Sequence, residues 1–234
     1  MRKIFEIFKQ DKWKKKYNYS NFQSFFHALS ESEIDLEKKL SLLDFGCGDG
    51  RYSSIISKYF KNINLYGVDI DSNLVEYCNK NIKGDFKVNY IDPPLYLSES
   101  FFDVIIAYSV FTHLKKAKIE SWFKEFNRVL KVGGVAALTY SSLERLKFMK
   151  IFSSNEIKSS YGITNLDIFL KEYDNYYYYE FDNKTPEYVN TLIETETLEK
   201  IAEKNNLKLI KNFNNVIHAY PFGTHNICIL KKII

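Results

Sequence analysis

This chain of 234 residues has few cysteines, no long apolar run and no strong excess of one charge. The three cysteines, Cys47, Cys78 and Cys228, are odd in number and lack metal-ligand spacing, which indicates a reducing compartment. No apolar run reaches the ~18 residues that a membrane-spanning helix needs, and the N-terminal residues lack the cleavage site of a signal peptide. We therefore expect a cytoplasmic protein without a membrane span.

Basic and acidic residues nearly balance, with 33 Lys and Arg against 29 Asp and Glu. This balance gives no electrostatic footprint for nucleic acid, so we expect no nucleic-acid partner. One dense basic run, Lys12 to Lys16, is interrupted by Trp13 and is typical of a solvated helix face; an anionic partner is the alternative. The length suits one domain over residues 1–234, and the sequence does not indicate an oligomeric state.

The segment from Leu40 to Tyr140 alternates between short apolar runs and amphipathic stretches. The apolar runs predict strands at Leu40–Phe45, Asn64–Asp69, Phe86–Ile91, Phe102–Tyr108 and Gly134–Tyr140. The amphipathic stretches predict helices at Arg51–Phe60, Ser72–Asn81 and Lys116–Leu130. Because strands alternate with helices, residues 40–140 are expected to form a parallel sheet with right-handed crossovers, the core of an α/β fold.

The flanking regions follow other patterns. Residues 1–38 have the apolar spacing of helices and predict an N-terminal helical cap. Residues 141–190 are tyrosine-rich and irregular, as in "YDNYYYYEFD", and predict an insertion or lid on the substrate side. Residues 195–234 predict a helix and two strands that pair as an antiparallel hairpin.

The stretch "LLDFGCGDGRY", residues 42–52, places three glycines on alternate positions between a predicted strand and a predicted helix. A strand, a glycine-rich turn and a helix together present free backbone N–H groups to a ligand. The dinucleotide fingerprint G-x-G-x-x-G does not fit, because its third glycine position holds Arg51. Asp69 ends the next strand, where a carboxylate can accept both hydroxyls of a ribose. With Asp44 as an extra acid and no third spaced glycine, the pattern suits a ligand that has a cationic amino group and no pyrophosphate. S-adenosylmethionine fits this description better than a nicotinamide dinucleotide does.

Four blocks carry a resemblance to a known family: "LLDFGCGDGRY", "GVDIDSNLVEYCNKN", "PPLYLSESFFDVIIAYSVFTHL" and "WFKEFNRVLKVGGVAALTYSS". In order and spacing they resemble the class I S-adenosylmethionine-dependent methyltransferases. The resemblance implies a Rossmann-like seven-stranded sheet, mostly parallel with a C-terminal antiparallel hairpin, and helices on both faces. The blocks "SVFTHL" and "RVLKVGG" resemble a bacterial small-molecule subgroup that is often related to surface polysaccharides. Val132 departs from the proline that is common in the family.

The resemblance implies cofactor contacts at one edge of the sheet: Asp44, Gly46, Cys47, Gly48, Gly50, Asp69, Ile70, Ile91, Asp92, Tyr108 and Ser109. The glycines would let the backbone pass under the methionyl part and the ribose. Asp44 would bind the amino group, Asp69 the ribose hydroxyls, and Ile70 would pack on adenine. Ile91 and Asp92 would lie by the adenine amino group.

The resemblance also places Tyr108 and Ser109 near the methyl group, and Arg51 beside a carboxylate. Plainer alternatives stay open for several of these residues. Asp69 is also placed to cap the next helix, although Asp71 suits that role better. Asp92 fits a turn before Pro93 and Pro94, and Cys47 fits a small buried side chain.

Methyl transfer to a hydroxyl needs a proton acceptor, which favours a histidine with a pKa near the working pH. His113 follows the fourth strand at the edge where ligands bind, and we choose it as the candidate general base. A histidine that only bonds the loop is the alternative. His225, a weaker candidate, and His218 flank the turn of the final hairpin. Tyr176 and Tyr178 would face the substrate from an aromatic lid, or would pack on the core instead.

No cluster of oxygen ligands for a divalent ion is evident, so we expect no metal. We predict a methyltransferase that uses S-adenosylmethionine to methylate a small-molecule acceptor. O-methylation of a sugar-type or phosphorylated metabolite in surface polysaccharide biosynthesis is the first choice, and N-methylation of an amino sugar or amine is the second. A non-catalytic cofactor-binding regulator or partner subunit is the alternative of another class; the intact Asp44, glycines and Asp69 argue against it.

Overall fold

The computed structural model describes residues 19–152, 154–180, 188–218 and 224–234. Seven strands form one sheet in the order β3-β2-β1-β4-β5-β9-β8. They are β1 (Leu40–Phe45), β2 (Ile63–Asp69), β3 (Asp85–Val88), β4 (Phe102–Ala107), β5 (Leu130–Tyr140), β8 (Leu207–His218) and β9 (Thr224–Lys232). Strands β1 to β5 pair in parallel, whereas β9 pairs antiparallel with both β5 and β8. The predicted α/β sheet with a C-terminal antiparallel hairpin is confirmed.

The helices surround this sheet. They are α1 (Tyr19–Ser30), α2 (Arg51–Tyr59), α3 (Ser72–Asn81), α4 (Lys116–Val129), α5 (Glu144–Phe152), α6 (Ser154–Tyr161), α7 (Leu166–Glu172) and α8 (Thr195–Lys204). A short 3₁₀ helix, Phe111–His113, follows β4. None of the helices in the described ranges is long and apolar enough to cross a membrane.

The core lies on both faces of the sheet because neighbouring strand residues point to opposite sides. Val104 and Ile106 of β4 pack with α1, α2 and α3, while Ile105 and Ala107 pack with α4 and α8. All four side chains are fully buried. A central strand that is covered on both faces reads as a continuous apolar run, which explains why "FDVIIA" was recognisable from sequence.

Two sequence-based expectations about secondary structure were wrong. Residues 141–190 are not irregular: the described part holds helices α5 to α7 and a two-stranded sheet of β6 (Tyr176–Glu180) and β7 (Val189–Ile193). The third strand ends at Val88 rather than Ile91, and turns and bends follow it. Of the predicted N-terminal helical region, α1 is helical and residues 31–38 are turns, while the basic run Lys12 to Lys16 lies outside the described residues.

Candidate active site

A cavity of about 540 Å³ opens at the carboxyl ends of β1, β2 and β4. In an α/β sheet, ligands bind at this edge, next to the point where the strand order reverses. The structure brings seven of the predicted site residues into its wall: Gly46, Asp69, Ile70, Ile91, Tyr108, Ser109 and His113. The other predicted cofactor residues, Asp44, Cys47, Gly48, Gly50 and Asp92, are not part of this wall.

The glycine-rich turn has a backbone that only glycine adopts easily. Gly46, Gly48 and Gly50 all have positive φ angles, of 73°, 53° and 73°. A Cβ atom on Gly46 would overlap with the side chain of Val110 on the cavity wall. A Cβ atom on Gly48 would meet no atom within 4 Å, so Gly48 borders open space. Cys47, between them, is buried, and burial raises the pKa of its thiol, which fits the plainer alternative of a small core residue.

Asp69 fixes the glycine turn through its carboxylate. Its Oδ2 accepts a hydrogen bond of 2.7 Å from the Gly48 N–H, and its Oδ1 accepts one of 3.0 Å from the Asp71 N–H. Asp71, not Asp69, caps helix α3, because its side chain accepts hydrogen bonds from the N–H groups of Asn73 and Leu74. The Asp69 carboxylate therefore reaches the cavity while it holds the turn in place.

Asp44 lies behind the cavity wall, with 2% of its surface exposed. The Ser53 hydroxyl donates a hydrogen bond of 2.6 Å to its Oδ2. Burial raises the pKa of Asp44 to about 7, and the Ser53 hydrogen bond opposes this rise. Near neutral pH the carboxyl group is therefore divided between its neutral and its ionised form.

This pKa predicts that cofactor affinity depends on pH. If Asp44 binds the cationic amino group, only its ionised form attracts it, so S-adenosylmethionine affinity should rise between pH 6 and pH 8, by up to about tenfold per unit below the pKa. Ser53→Ala removes a hydrogen bond that favours the ionised form and should move the midpoint to higher pH. Isothermal titration calorimetry at pH 6, 7 and 8 measures both the rise in affinity and the shift of its midpoint. In Ser54→Ala, whose hydroxyl donates to the Arg51 carbonyl rather than to Asp44, the midpoint should not move. Equal midpoints in all three proteins would contradict the role of Asp44.

Exposed apolar side chains form the part of the wall that follows β2 and β3. Ile70 and Ile91 are 57% and 45% exposed, unusual for isoleucine, and both line the cavity. Asn89 and Tyr90 also line it. Sequence reasoning missed them because the third strand was predicted to run through both residues to Ile91. The buried Oδ1 of Asn89 has no hydrogen-bond partner among the described residues. Asp92 instead pairs with Lys118 of α4.

The opposite part of the wall follows β4. Ser109 has a φ angle of 59°, and its N–H donates a hydrogen bond of 2.7 Å to the Thr139 hydroxyl. The Tyr108 ring lies 4.7 Å from the Tyr52 ring, and its hydroxyl accepts a hydrogen bond of 3.3 Å from the Asn21 side chain. Helices α1 and α2 therefore fix the position of Tyr108.

His113 ends the 3₁₀ helix and lines the same cavity. Its Nδ1 lies 3.0 Å from the Val189 carbonyl, and its ring stacks on Tyr188 at 4.3 Å. Burial lowers the pKa of His113 to about 4, so the ring is neutral at pH 7. In a neutral ring whose Nδ1–H is bonded to a carbonyl, Nε2 is the proton acceptor; the Asn190 side chain also lies close to the ring. The expectation that the general base has a pKa near the working pH was wrong for His113, because its imidazole is largely removed from water.

The remaining predicted residues lie elsewhere. His225 is 5% exposed, and its Nδ1 has no hydrogen-bond partner among the described residues. The side chain of His218 lies outside what the structure describes. Arg51 pairs with Asp49 on the surface. Tyr176 accepts a hydrogen bond from the Lys116 N–H, and Tyr178 lies 5.1 Å from the Lys115 ammonium; neither residue lines the cavity.

Tyr188 and Arg145 are two residues near the site that sequence reasoning missed. Tyr188 lines the cavity beside His113, and Arg145 lies at the start of α5, just after β5. The sequence held no local signal for Arg145, because four residues separate it from the end of β5. Within the described ranges, no three His, Cys, Asp or Glu side chains come together as a metal site would require.

Residues 43–138 match the family model described as "Methyltransferase domain". The matched segment carries the glycine-rich turn and every residue of the cavity wall except Tyr188. Among solved structures, the chain resembles a SAM-dependent methyltransferase from Methanosarcina mazei, with a TM-score of 0.65 and 17% identity over 88% of this chain and 97% of that one. It also resembles an S-adenosylmethionine-dependent methyltransferase from Clostridium acetobutylicum, with a TM-score of 0.59 and 14% identity over 98% of both chains.

At these identities the solved structures show the fold alone. An uncharacterized protein from Rickettsia prowazekii is 24% identical over 155 residues, which are 64% of this chain. The matched part is only 27% of that relative, and the chain spans about a quarter of the curated relatives it matches.

Proposed function

We propose that this protein transfers the methyl group of S-adenosylmethionine to a small molecule in the cytoplasm. The cavity supports this proposal because its polar groups suit the parts of the cofactor. The Asp69 carboxylate would accept the ribose hydroxyls, and the open space beside Gly48 would admit the methionyl part. The unpartnered Oδ1 of Asn89 would accept the adenine amino group, while Ile70 and Ile91 would cover the adenine faces.

His113 is the residue that we propose for proton removal. When bound, S-adenosylmethionine supplies an electrophilic methyl group on a positively charged sulfur. Transfer of this methyl group to an acceptor hydroxyl would release the sulfur as a neutral thioether and leave the hydroxyl proton to be removed. The hydroxyl proton passes to Nε2 of His113, whose Nδ1 is held by the Val189 carbonyl. We propose a sugar-type or phosphorylated metabolite as the acceptor, with a place in surface polysaccharide synthesis.

N-methylation of an amino sugar or another amine is the second candidate. The low pKa of His113, about 4, favours it, because an imidazole of this basicity is a weak acceptor for an alcohol proton. A neutral amine attacks without prior loss of a proton. The two candidates therefore differ in how much turnover depends on His113.

Substitution of His113 distinguishes these reactions. With a hydroxyl acceptor, His113→Ala should lower kcat by about 100-fold and leave the affinity for S-adenosylmethionine within about threefold. The pH profile of kcat should show no acidic limb from His113 above about pH 5, since its pKa is about 4. His27→Ala, on the exposed face of α1, is the matched control and should keep wild-type turnover.

The assay incubates the protein with methyl-labelled S-adenosylmethionine and a pool of sugar nucleotides, amino sugars and phosphorylated metabolites, and follows the label by mass spectrometry. A labelled product identifies the acceptor and the methylated atom. Turnover of His113→Ala within tenfold of wild type would favour the amine reaction. Absence of S-adenosylmethionine binding would overturn the proposal, and binding without any labelled product would favour a non-catalytic regulator.

A further inference from the structure

Two buried polar side chains, Ser141 and His225, and the half-buried Arg145 lie where β5 leads into α5, next to the start of β9. The pairing of Tyr140 with Asn226 places Ser141, the next residue, opposite His225 in the antiparallel register. Arg145 lies in the first turn of α5, and its Nη1 donates a hydrogen bond of 3.4 Å to the carbonyl of Thr224, beside His225. Ser141, Arg145 and His225, which we name the β5–β9 cluster, therefore come from three elements at one corner of the sheet.

Each member of the β5–β9 cluster has a polar atom without a partner. The Oγ of Ser141, the Nε of Arg145 and the Nδ1 of His225 are shielded from solvent and make no hydrogen bond within the described part of the chain. Ser141 is 1% exposed and His225 is 5% exposed. Buried polar atoms are nearly always hydrogen-bonded in native proteins, because an unpaired one costs about 1–3 kcal/mol. The buried Tyr161 hydroxyl lies close to Ser141 and Arg145 and adds a further O–H donor to the unpaired polar atoms at this place, which suits a ligand rich in acceptors.

The charge of the β5–β9 cluster indicates what this ligand is. Arg145 forms no ion pair with an acidic side chain of the described residues. Two acids in its surroundings are engaged elsewhere. Glu144 pairs with Lys147, and Glu194 accepts hydrogen bonds from the Leu143 N–H and the Tyr173 hydroxyl. A guanidinium with a shielded Nε is stabilised by an oxyanion, to which Arg, Ser and His side chains can all donate.

The β5–β9 cluster also lies close to the proposed methyl-transfer site. Burial lowers the pKa of His225 well below its usual value, and the neighbouring Arg145 and His113 lower it further. Burial likewise lowers the pKa of His113, to which Arg145 again contributes. Arg145 therefore lies within electrostatic range of the proposed base.

We propose that Ser141, Arg145 and His225 bind the anionic group, a carboxylate or a phosphate, of the methyl acceptor. This inference rests on the proposed function and narrows its acceptor to an anionic small molecule. Arg51, the arginine predicted from sequence to bind a carboxylate, is paired with Asp49 at the surface, whereas Arg145 has unused donor capacity at the site.

The test follows the arginine side chains directly by NMR. The chain has four arginines, Arg2, Arg51, Arg128 and Arg145, so labelling with ¹⁵N-arginine gives few Nε–H signals, and Arg145→Lys identifies that of Arg145. The full chain, saturated with S-adenosylhomocysteine, is titrated with sodium phosphate, with sodium acetate, and with sodium chloride at matched ionic strength. A saturable shift of the Arg145 signal by phosphate or acetate, but not by chloride, is expected, with Arg128 as the internal control.

The two anions distinguish the two acceptor chemistries. Saturation by phosphate alone indicates a phosphorylated acceptor, and saturation by acetate indicates a carboxylate. No saturable shift up to roughly 50 mM of either anion, or equal shifts of all the arginine signals, would overturn the inference. Cofactor binding is measured separately by calorimetry, so a protein that binds S-adenosylmethionine but neither anion contradicts this inference and leaves the proposed function standing.

Turnover provides the second readout once an acceptor is known. Arg145→Gln should raise the KM of an anionic acceptor by at least about tenfold, with a smaller effect on kcat, because one charge-assisted hydrogen bond is lost. Arg145→Lys should restore part of this loss. Lys147→Gln, on the exposed face of the same helix, is the matched control and should keep the wild-type KM. Equal loss of kcat and unfolding stability without a change in KM would indicate a purely structural arginine.

Discussion

Asp69→Ala is expected to weaken S-adenosylmethionine binding by about 100-fold, the largest effect on cofactor affinity that we predict. The alanine removes the proposed acceptor of the ribose hydroxyls. It also releases the Gly48 N–H, which loses the hydrogen bond that holds the glycine turn. Calorimetric titration with S-adenosylmethionine and with S-adenosylhomocysteine measures the effect, which should be similar for both because neither hydroxyl takes part in the chemistry.

Asp71→Ala is the matched control for this prediction. Asp71 lies two residues away and has the same charge, but its carboxylate caps helix α3. Its loss should cost about 1 kcal/mol in the free energy of unfolding and leave cofactor affinity within about threefold. If both variants bound S-adenosylmethionine equally well, Asp69 would be a structural residue of the turn and the ribose assignment would fail.

Arg128→Ala is expected to lower the free energy of unfolding by about 2–3 kcal/mol. Arg128 donates hydrogen bonds to both carboxylate oxygens of Glu125, and its Nη2 also bonds the carbonyls of Leu95 and Leu97. The Glu125 side chain is 6% exposed and accepts a further hydrogen bond from the Leu95 N–H. Removal of the arginine leaves this shielded carboxylate without its counter-charge.

Urea denaturation of the Arg128 variant measures this loss. Lys80→Ala removes a surface-exposed ion pair with Glu76 and should leave the free energy of unfolding close to that of wild type. Arg128→Ala should also affect cofactor binding, because α4 holds residues 91–97 through Arg128 and through the Trp122 side chain, which bonds the carbonyl of Ile91 at 3.2 Å. A variant as stable as wild type would show that water replaces the arginine at no cost.

The strands at the centre of the sheet were predictable because burial on both faces leaves an apolar run, as in β4. The end of β3 was not, since Asn89 and Tyr90 form a cavity wall with residues from β2 and β4 that are distant in sequence. The helices and the strand β6 within residues 141–190 were missed for a related reason. Tyr177 packs against Phe169 and bonds the Tyr161 carbonyl, so its strand is stabilised by tertiary contacts rather than by a local pattern.

The candidate site was also predictable only in part. Gly46, Asp69 and Ile70 were predictable because a short motif determines where they lie. The protonation of His113 was not, because its pKa depends on burial under Tyr188 and on the charge of Arg145, both remote along the chain. The sequence did not distinguish Arg145 from a surface arginine, because His225 comes to lie near it only through the pairing of β9 with β5.

Strand β9 has a consequence for how the protein is made. It is the last strand of the sheet along the chain, yet it lies between β5 and β8. On the ribosome, strands β1 to β5 emerge and pair first, while the edge of β5 stays open until β9 arrives. An open edge of this kind pairs readily with other chains, so a delay in translation before β9 favours aggregation. His225 belongs to this strand, so the β5–β9 cluster forms in the same step in which β9 pairs with β5.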